Sequence, residues 1–191
     1  MRRCKCRGSV LSPRLLRGLV FLLGHLGIGL GLAWLVAWRS PGKCDYRLVL
    51  FGAILPDLID KPLGYMLGLE TRLWAHTFAF LVAILAVSFL PPSWPLRFVG
   101  FGVATHFLLD RLWETPRIIL YPAYGWAFNP AIFDSERWFD ILFHDPYVQA
   151  GEIVGAAILM LFLWRNRLGS WNALRAFLAH GTLPGRPEKQ P

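Results

Sequence analysis

The sequence predicts an all-α, polytopic integral membrane protein, with 4–5 transmembrane helices packed as a bundle around a polar metal-binding centre. Three observations predict it. Hydrophobic residues make up 55% of the 191 residues and the mean hydropathy is +0.43, beyond the range of an ordinary soluble globule. Apolar stretches recur at lengths near the roughly 20 residues that cross a bilayer as a helix. A few His and Asp residues lie inside those stretches, where a charged group costs roughly 2.5–3.5 kcal/mol at a helix centre and is retained for function.

Residues 1–14 form a basic tail in which Arg2, Arg3, Lys5, Arg7 and Arg14 precede a long apolar run, with Arg17 just inside it. The net charge of +8 therefore suits anionic lipid headgroups and a cytoplasmic N-terminus, not nucleic acid. Leu15 to Trp38 is about twice the length of a signal-peptide apolar region and lacks a small-x-small exit, so it is expected to be the first span. A second span starts near Leu48 and is expected to break or re-enter where Pro56, Asp57, Asp60, Lys61 and Pro62 follow one another, because prolines remove backbone donors. The third span is expected over Arg72–Leu90 and the fourth over Leu96–Trp113, with Pro91-Pro92 turning the chain into an antiparallel hairpin. Glu114–Tyr147, rich in Pro, Tyr and Trp, has the composition of an interfacial loop with aromatic anchors. A last span, Val148–Trp164, closes a membrane domain of residues 15–164. The tail, 165–191, is basic, carries a short amphipathic stretch at Trp171–Ala179 and ends in a Pro/Gly-rich segment expected to be disordered. Cys4, Cys6 and Cys44 do not make a disulfide framework.

The ionisable residues within the apolar segments are His25, Asp57, Asp60, His76, His106 and Asp110. His106 and Asp110 are four apart and share a helix face. Asp57 and Asp60, three apart, do so if their stretch is helical. With helices alternating in direction, all six fall at one depth, in the cytoplasmic half of the membrane. Imidazoles mixed with carboxylates, without thiolates, suit zinc, manganese or iron in an open site better than a closed structural zinc site. Blander explanations stand beside each candidate. A lone His is more often packed than ligating, Pro56-Asp57 has the form of a helix cap, and Asp60-Lys61 has that of a headgroup-level charge pair. His144, Asp145 and Glu152 are weaker candidates to complete a metal shell. No HExxH, GxSxG, Walker or Rossmann signature is present.

The stretch Gly52-Ala53-Ile54-Leu55-Pro56-Asp57-Leu58-Ile59-Asp60-Lys61-Pro62, then Ala75-His76-Thr77 and Thr105-His106-Phe107-Leu108-Leu109-Asp110, resembles the membrane-bound metal-dependent hydrolase family named after YdjM, also described as LexA-binding inner-membrane hydrolases. The resemblance covers about residues 20 to 125, with His25 matching the family's first-helix His. The order His, Asp, His, HisxxxAsp is also similar to the ligand order of zinc-dependent phospholipases C and S1/P1-type nucleases. That likeness implies His25, Asp57, His76, His106 and Asp110 as metal ligands, with Asp110 as a bridge. The chain departs from it in lacking a second HxxxE, and Trp74-Ala75-His76-Thr77 replaces the common His-Arg form.

The expected function is a multi-pass hydrolase of the inner or plasma membrane. In it, water activated by a divalent metal, zinc or alternatively manganese or iron, attacks an ester or phosphoester of a membrane lipid or lipid-linked substrate. His76 and Asp60 carry catalytic roles, Asp60 as a base behind the metal or as a further ligand. The alternatives are a small ion or proton transporter built on the same cluster, and a non-catalytic membrane scaffold.

Overall fold

A computed structural model describes residues 22–131 and 135–183. The basic tail, Cys4, Cys6, the start of the expected first span and the last residues of the C-terminal tail lie outside the described residues. Within them the chain is helical, with a single β-bridge between Leu69 and Pro130. Eight α-helices follow in order: α1 (Leu22–Val36), α2 (Tyr46–Leu67), α3 (Phe78–Ser88), α4 (Leu96–Leu109), α5 (Pro116–Ile119), α6 (Ser135–His144), α7 (Pro146–Arg165) and α8 (Trp171–His180). Among the described residues one helix, Pro146–Arg165, is long and apolar enough to cross a membrane; Leu22–Val36, Phe78–Ser88 and Leu96–Leu109 are apolar but shorter.

Local chemistry sets the boundaries, and several differ from expectation. The expected break at Pro56 is absent, for α2 runs continuously from an Asp45 cap, whose side chain accepts the Arg47 N–H, to Gly68 in the left-handed conformation. A proline inside a helix loosens the turn before it without having to end it when neighbouring elements take up the freed groups. The expected third span starts later than Arg72: Trp74–His76 form a 3-10 turn, and α3 begins only where the Thr77 hydroxyl accepts the Phe80 N–H. The fourth ends at Leu109, so Asp110 caps the helix. The expected loop 114–147 contains α5 and α6, and α7 is started by the Asp145 carboxylate, which accepts from Tyr147 and Val148.

α2 lies along α4 and α1 along α7, while α1 also touches α2 and α4, and α3 packs on α4. Glycines permit this closeness. A Cβ on Gly27 would fall within the backbone of Gly155, and one on Gly102 within the backbone of Val49 and Ala53, the small-residue contact that lets helix backbones meet in membranes. Tyr46, Phe162 and Phe177 form an aromatic cluster at one end. There α8 is held by the Tyr46 N–H on the Gly181 carbonyl (2.7 Å) and by Arg47 on the carbonyls of Leu178 and Ala179. The amphipathic stretch of the tail is thus a docked helix, with Phe177 buried.

A polar cluster is buried beside the apolar core while many large apolar side chains face outward. His25, Asp60, His76, His106 and Asp110 are at most 2% exposed, whereas Leu35, Val36, Met66 and Trp164 are 68–83% exposed.

Two expectations follow from this packing. Gly102→Leu forces α2 and α4 apart, at a cost of about 1–3 kcal/mol or more. It should lower the melting temperature in detergent by several degrees, while Gly169→Ala, with open space around it, should not. An unchanged melting point for Gly102→Leu would mean that the two helices do not meet there. Burial, aided by the charge of Asp45, pushes the Cys44 thiol up to about 11, so it stays protonated at neutral pH and is a poor nucleophile. The native protein then holds a proton that the unfolded chain loses between its ordinary value and 11, so this group's contribution to stability falls as pH rises through that window. Peptide mapping after maleimide treatment at pH 8 should find Cys44 unlabelled in folded protein and labelled after denaturation.

Candidate metal centre

The site is organised by the carboxylate of Asp60. It accepts the backbone N–H groups of Leu73 (2.7 Å), Ala75 (3.1 Å) and His76 (3.1 Å), and lies 2.7 Å from His76 Nδ1. Three N–H groups on one anion fold residues 72–76 into a turn and keep them out of a longer α3. An ionised carboxylate only accepts, so His76 Nδ1 carries the proton and Nε2 presents its lone pair.

His106, on α4, is fixed in the same way. Its Nδ1 is 2.8 Å from the Ala53 carbonyl, in the turn of α2 that Pro56 loosens. A carbonyl also only accepts, so His106 Nε2 is a lone pair too. The two Nε2 atoms face one another at 3.2 Å. Asp57 Oδ1 lies 3.6 Å from His76 Nε2 and 3.9 Å from His106 Nε2. Asp110 Oδ2 lies 4.0 and 3.8 Å from the same two atoms. Behind the carboxylates, Lys61 Nζ holds Asp57 Oδ2 at 2.7 Å and Arg72 holds Asp110 Oδ2 at 3.0 Å. The His25 ring stacks on His106 at 4.0 Å, with its Nε2 3.3 Å from Asp110 Oδ1.

The donor set fits a divalent cation. Facing imidazole lone pairs repel unless a proton or cation lies between them. Ligand atoms around a tetrahedral zinc with bonds of about 2.0–2.1 Å are about 3.3 Å apart, and the five separations here run from 3.2 to 4.0 Å. Two overlapping triads, His25/His106/Asp110 and Asp57/His76/His106, each bring their ligand atoms within 4.8 Å of one another. Three carboxylates of the cluster, those of Asp57, Asp60 and Asp110, face two cations, Lys61 and Arg72, and a buried excess of negative charge is costly unless a cation offsets it.

Of the six residues singled out in the sequence, the structure brings five together: His25, Asp57, His76, His106 and Asp110. Asp60 takes the first of the two places expected for it: it sits behind His76, engaged by its turn. The weaker candidates do not join. His144 is exposed and pairs with Asp140, Asp145 caps α7, and Glu152 accepts the N–H groups of Leu23 and Gly24 at the start of α1. Lys61 partners Asp57, one turn away, and not Asp60. Arg72 was missed because a cation at an apolar segment's edge has the form of a headgroup anchor, and the Ala53 carbonyl because Pro56 alone signals only a loosened turn.

No curated protein sequence and no solved structure matches the chain. The profile of one family does, the YdjM inner membrane proteins, over residues 21–177, which contains every residue of the cluster. The chain therefore belongs to the YdjM inner membrane protein family.

Proposed function

We propose that this protein is a multi-pass membrane hydrolase in which a divalent metal, zinc by the character of its donors, is held by His76, His106, Asp57 and Asp110 and serves the cleavage of an ester or phosphoester. The observation that carries this reading is the pair of Nε2 lone pairs, each fixed by an acceptor on the far side of its ring, facing each other between two carboxylates. When bound, such an ion supplies a Lewis acid and lowers the pKa of a coordinated water. The remaining work belongs to the chain. Asp60 and the Ala53 carbonyl fix the imidazole tautomers, which raises ligand basicity and sets ring orientation. Lys61 and Arg72 restrain the carboxylates. A cavity of about 410 Å³, bordered by His25 and Asp57, gives a reactant access to the cluster.

The multi-pass arrangement is supported by the many exposed large apolar side chains around a buried polar cluster and by helix length. At 1.5 Å per residue α2 and α7 extend about 33 and 30 Å, a bilayer's hydrocarbon thickness. Asp57, Asp60 and Lys61 of α2 are engaged with one another's neighbourhood or with the His pair, away from the outer face. Exposed Trp38, Trp74, Trp94 and Trp113 near helix ends suit interfacial anchoring. The inner or plasma membrane is the proposed location.

Protein purified without chelator should contain metal in stoichiometric amount by elemental analysis. His106→Ala should lose it, and His144→Ala should keep it. Finding no metal in wild-type protein would end the hydrolase reading. Asp60→Asn keeps the size of the side chain but presents an amide N–H₂ to donors. It should weaken metal affinity by about 10–100-fold, read by competition with a chromophoric chelator, and should shift the visible spectrum of cobalt-loaded protein. An affinity within error of wild type would show that His76 needs no such support.

A further inference from the structure

The cavity beside the cluster has a composition that a metal site alone does not require. Its apolar wall is made by Leu22, Ile54, Leu58 and Leu142, and its polar end by Asp57 and Lys61. Leu22 and Leu58 are each 57% exposed, so the apolar wall continues onto the outer surface of the helices, where an inner membrane protein meets acyl chains. Lys61 donates to Asp57 at 2.7 Å, and an ammonium has three donors. The carboxylate of Glu152 also borders the cavity, but the N–H groups of Leu23 and Gly24, at 3.2 and 2.7 Å, already engage it, which mutes its repulsion of an anion.

From these features we infer that the substrate is a membrane lipid phosphoester, its phosphate beside Lys61 and the His/Asp cluster and its chain leaving sideways past Leu58 between α1, α2 and α6. This rests on the hydrolase reading above and names its substrate class. A small soluble anion would leave four apolar side chains facing nothing of their kind. A neutral lipid would offer the partly exposed lysine no anionic partner beyond Asp57, whereas hydrogen bonds to a charged group are the stronger ones. An anionic head joined to a hydrocarbon chain meets both requirements, and pockets of this size commonly combine an apolar wall with a few fixed polar groups. In the hydrolysis, the oxygen of water bonds to phosphorus, the bond from phosphorus to the alcohol oxygen breaks, and a proton from water ends on that alcohol.

The test uses the full chain loaded with zinc in phosphatidylcholine vesicles containing a minor fraction of phosphatidic acid with a diazirine on its acyl chain. Irradiation and peptide mapping should place the label on the segments carrying Leu22, Leu58 or Leu142. Excess unlabelled phosphatidic acid should suppress labelling, and neither inorganic phosphate nor diacylglycerol should match it. Leu58→Trp, which fills the mouth, should cut labelling by about tenfold, the scale of one lost contact, with metal content unchanged. Met160→Trp, on the exposed side of α7, should leave labelling as it was. Labelling elsewhere, competition by inorganic phosphate as effective as by phosphatidic acid, or indifference to Leu58→Trp would overturn the inference. Release of phosphate is followed in the same samples. Protein that labels as expected yet releases nothing retains the lipid site and loses the hydrolase reading, so the two failures are distinct.

Discussion

An ionised group in an interior without water must have its partners in place, because its desolvation is not repaid by solvent. Asp60 is where this constraint acts most strongly. Four donors close on its carboxylate, and all of them come from residues 73–76. The same turn therefore does two things at once: it brings the His76 ring into the cluster, and it aims Arg72, its first residue, at Asp110. A carboxylate on α2 thus decides where α3 can begin and how α2 is tied to the end of α4. Beyond such polar links the helices meet through apolar contacts, which specify neither depth nor rotation.

Close approach of the backbones is what lets such short links work. Gly52 and Gly102 allow α2 and α4 to touch, and only in that register does the Ala53 carbonyl lie within hydrogen-bond reach of His106. Gly27 and Gly155 do the same for α1 and α7. There the consequence is that Glu152 meets the first turn of α1, near the ring of His25 stacked over His106. Each glycine pair is thus coupled to a polar contact, so packing and site geometry are set together.

The parts of this arrangement that were legible in the sequence are those fixed by spacing. His106 and Asp110, four apart, remain on one side although Asp110 is a cap and not a helical residue. His25, Asp57, His76 and His106 meet in one cluster, as residues of a common depth would. What spacing did not reveal is the side of a ring that a carboxylate takes. Asp57 and Asp60 do share a face of α2, but they grip opposite nitrogens of one imidazole, Asp60 at Nδ1 and Asp57 nearer Nε2. Apolarity was likewise a poor guide to helix ends. Leu73, Trp74 and Ala75 look like the start of a span, yet the N–H groups of Leu73 and Ala75 belong to Asp60. The continuity of α2 through two prolines was hidden for a related reason, since partners for loosened backbone come from another helix.

His106 constrains how the two donor triads can be used together. It belongs to both donor triads, and its Nδ1 is committed to the Ala53 carbonyl, so it has one lone pair to offer and serves one ion at a time. An ion held between His76 and His106 would leave His25 facing the other oxygen of Asp110. Its ring then restrains Oδ1 while Arg72 restrains Oδ2, and the carboxylate is held in orientation from both sides. Asp110 would then meet that ion as a clamped donor, its carboxylate engaged at both oxygens.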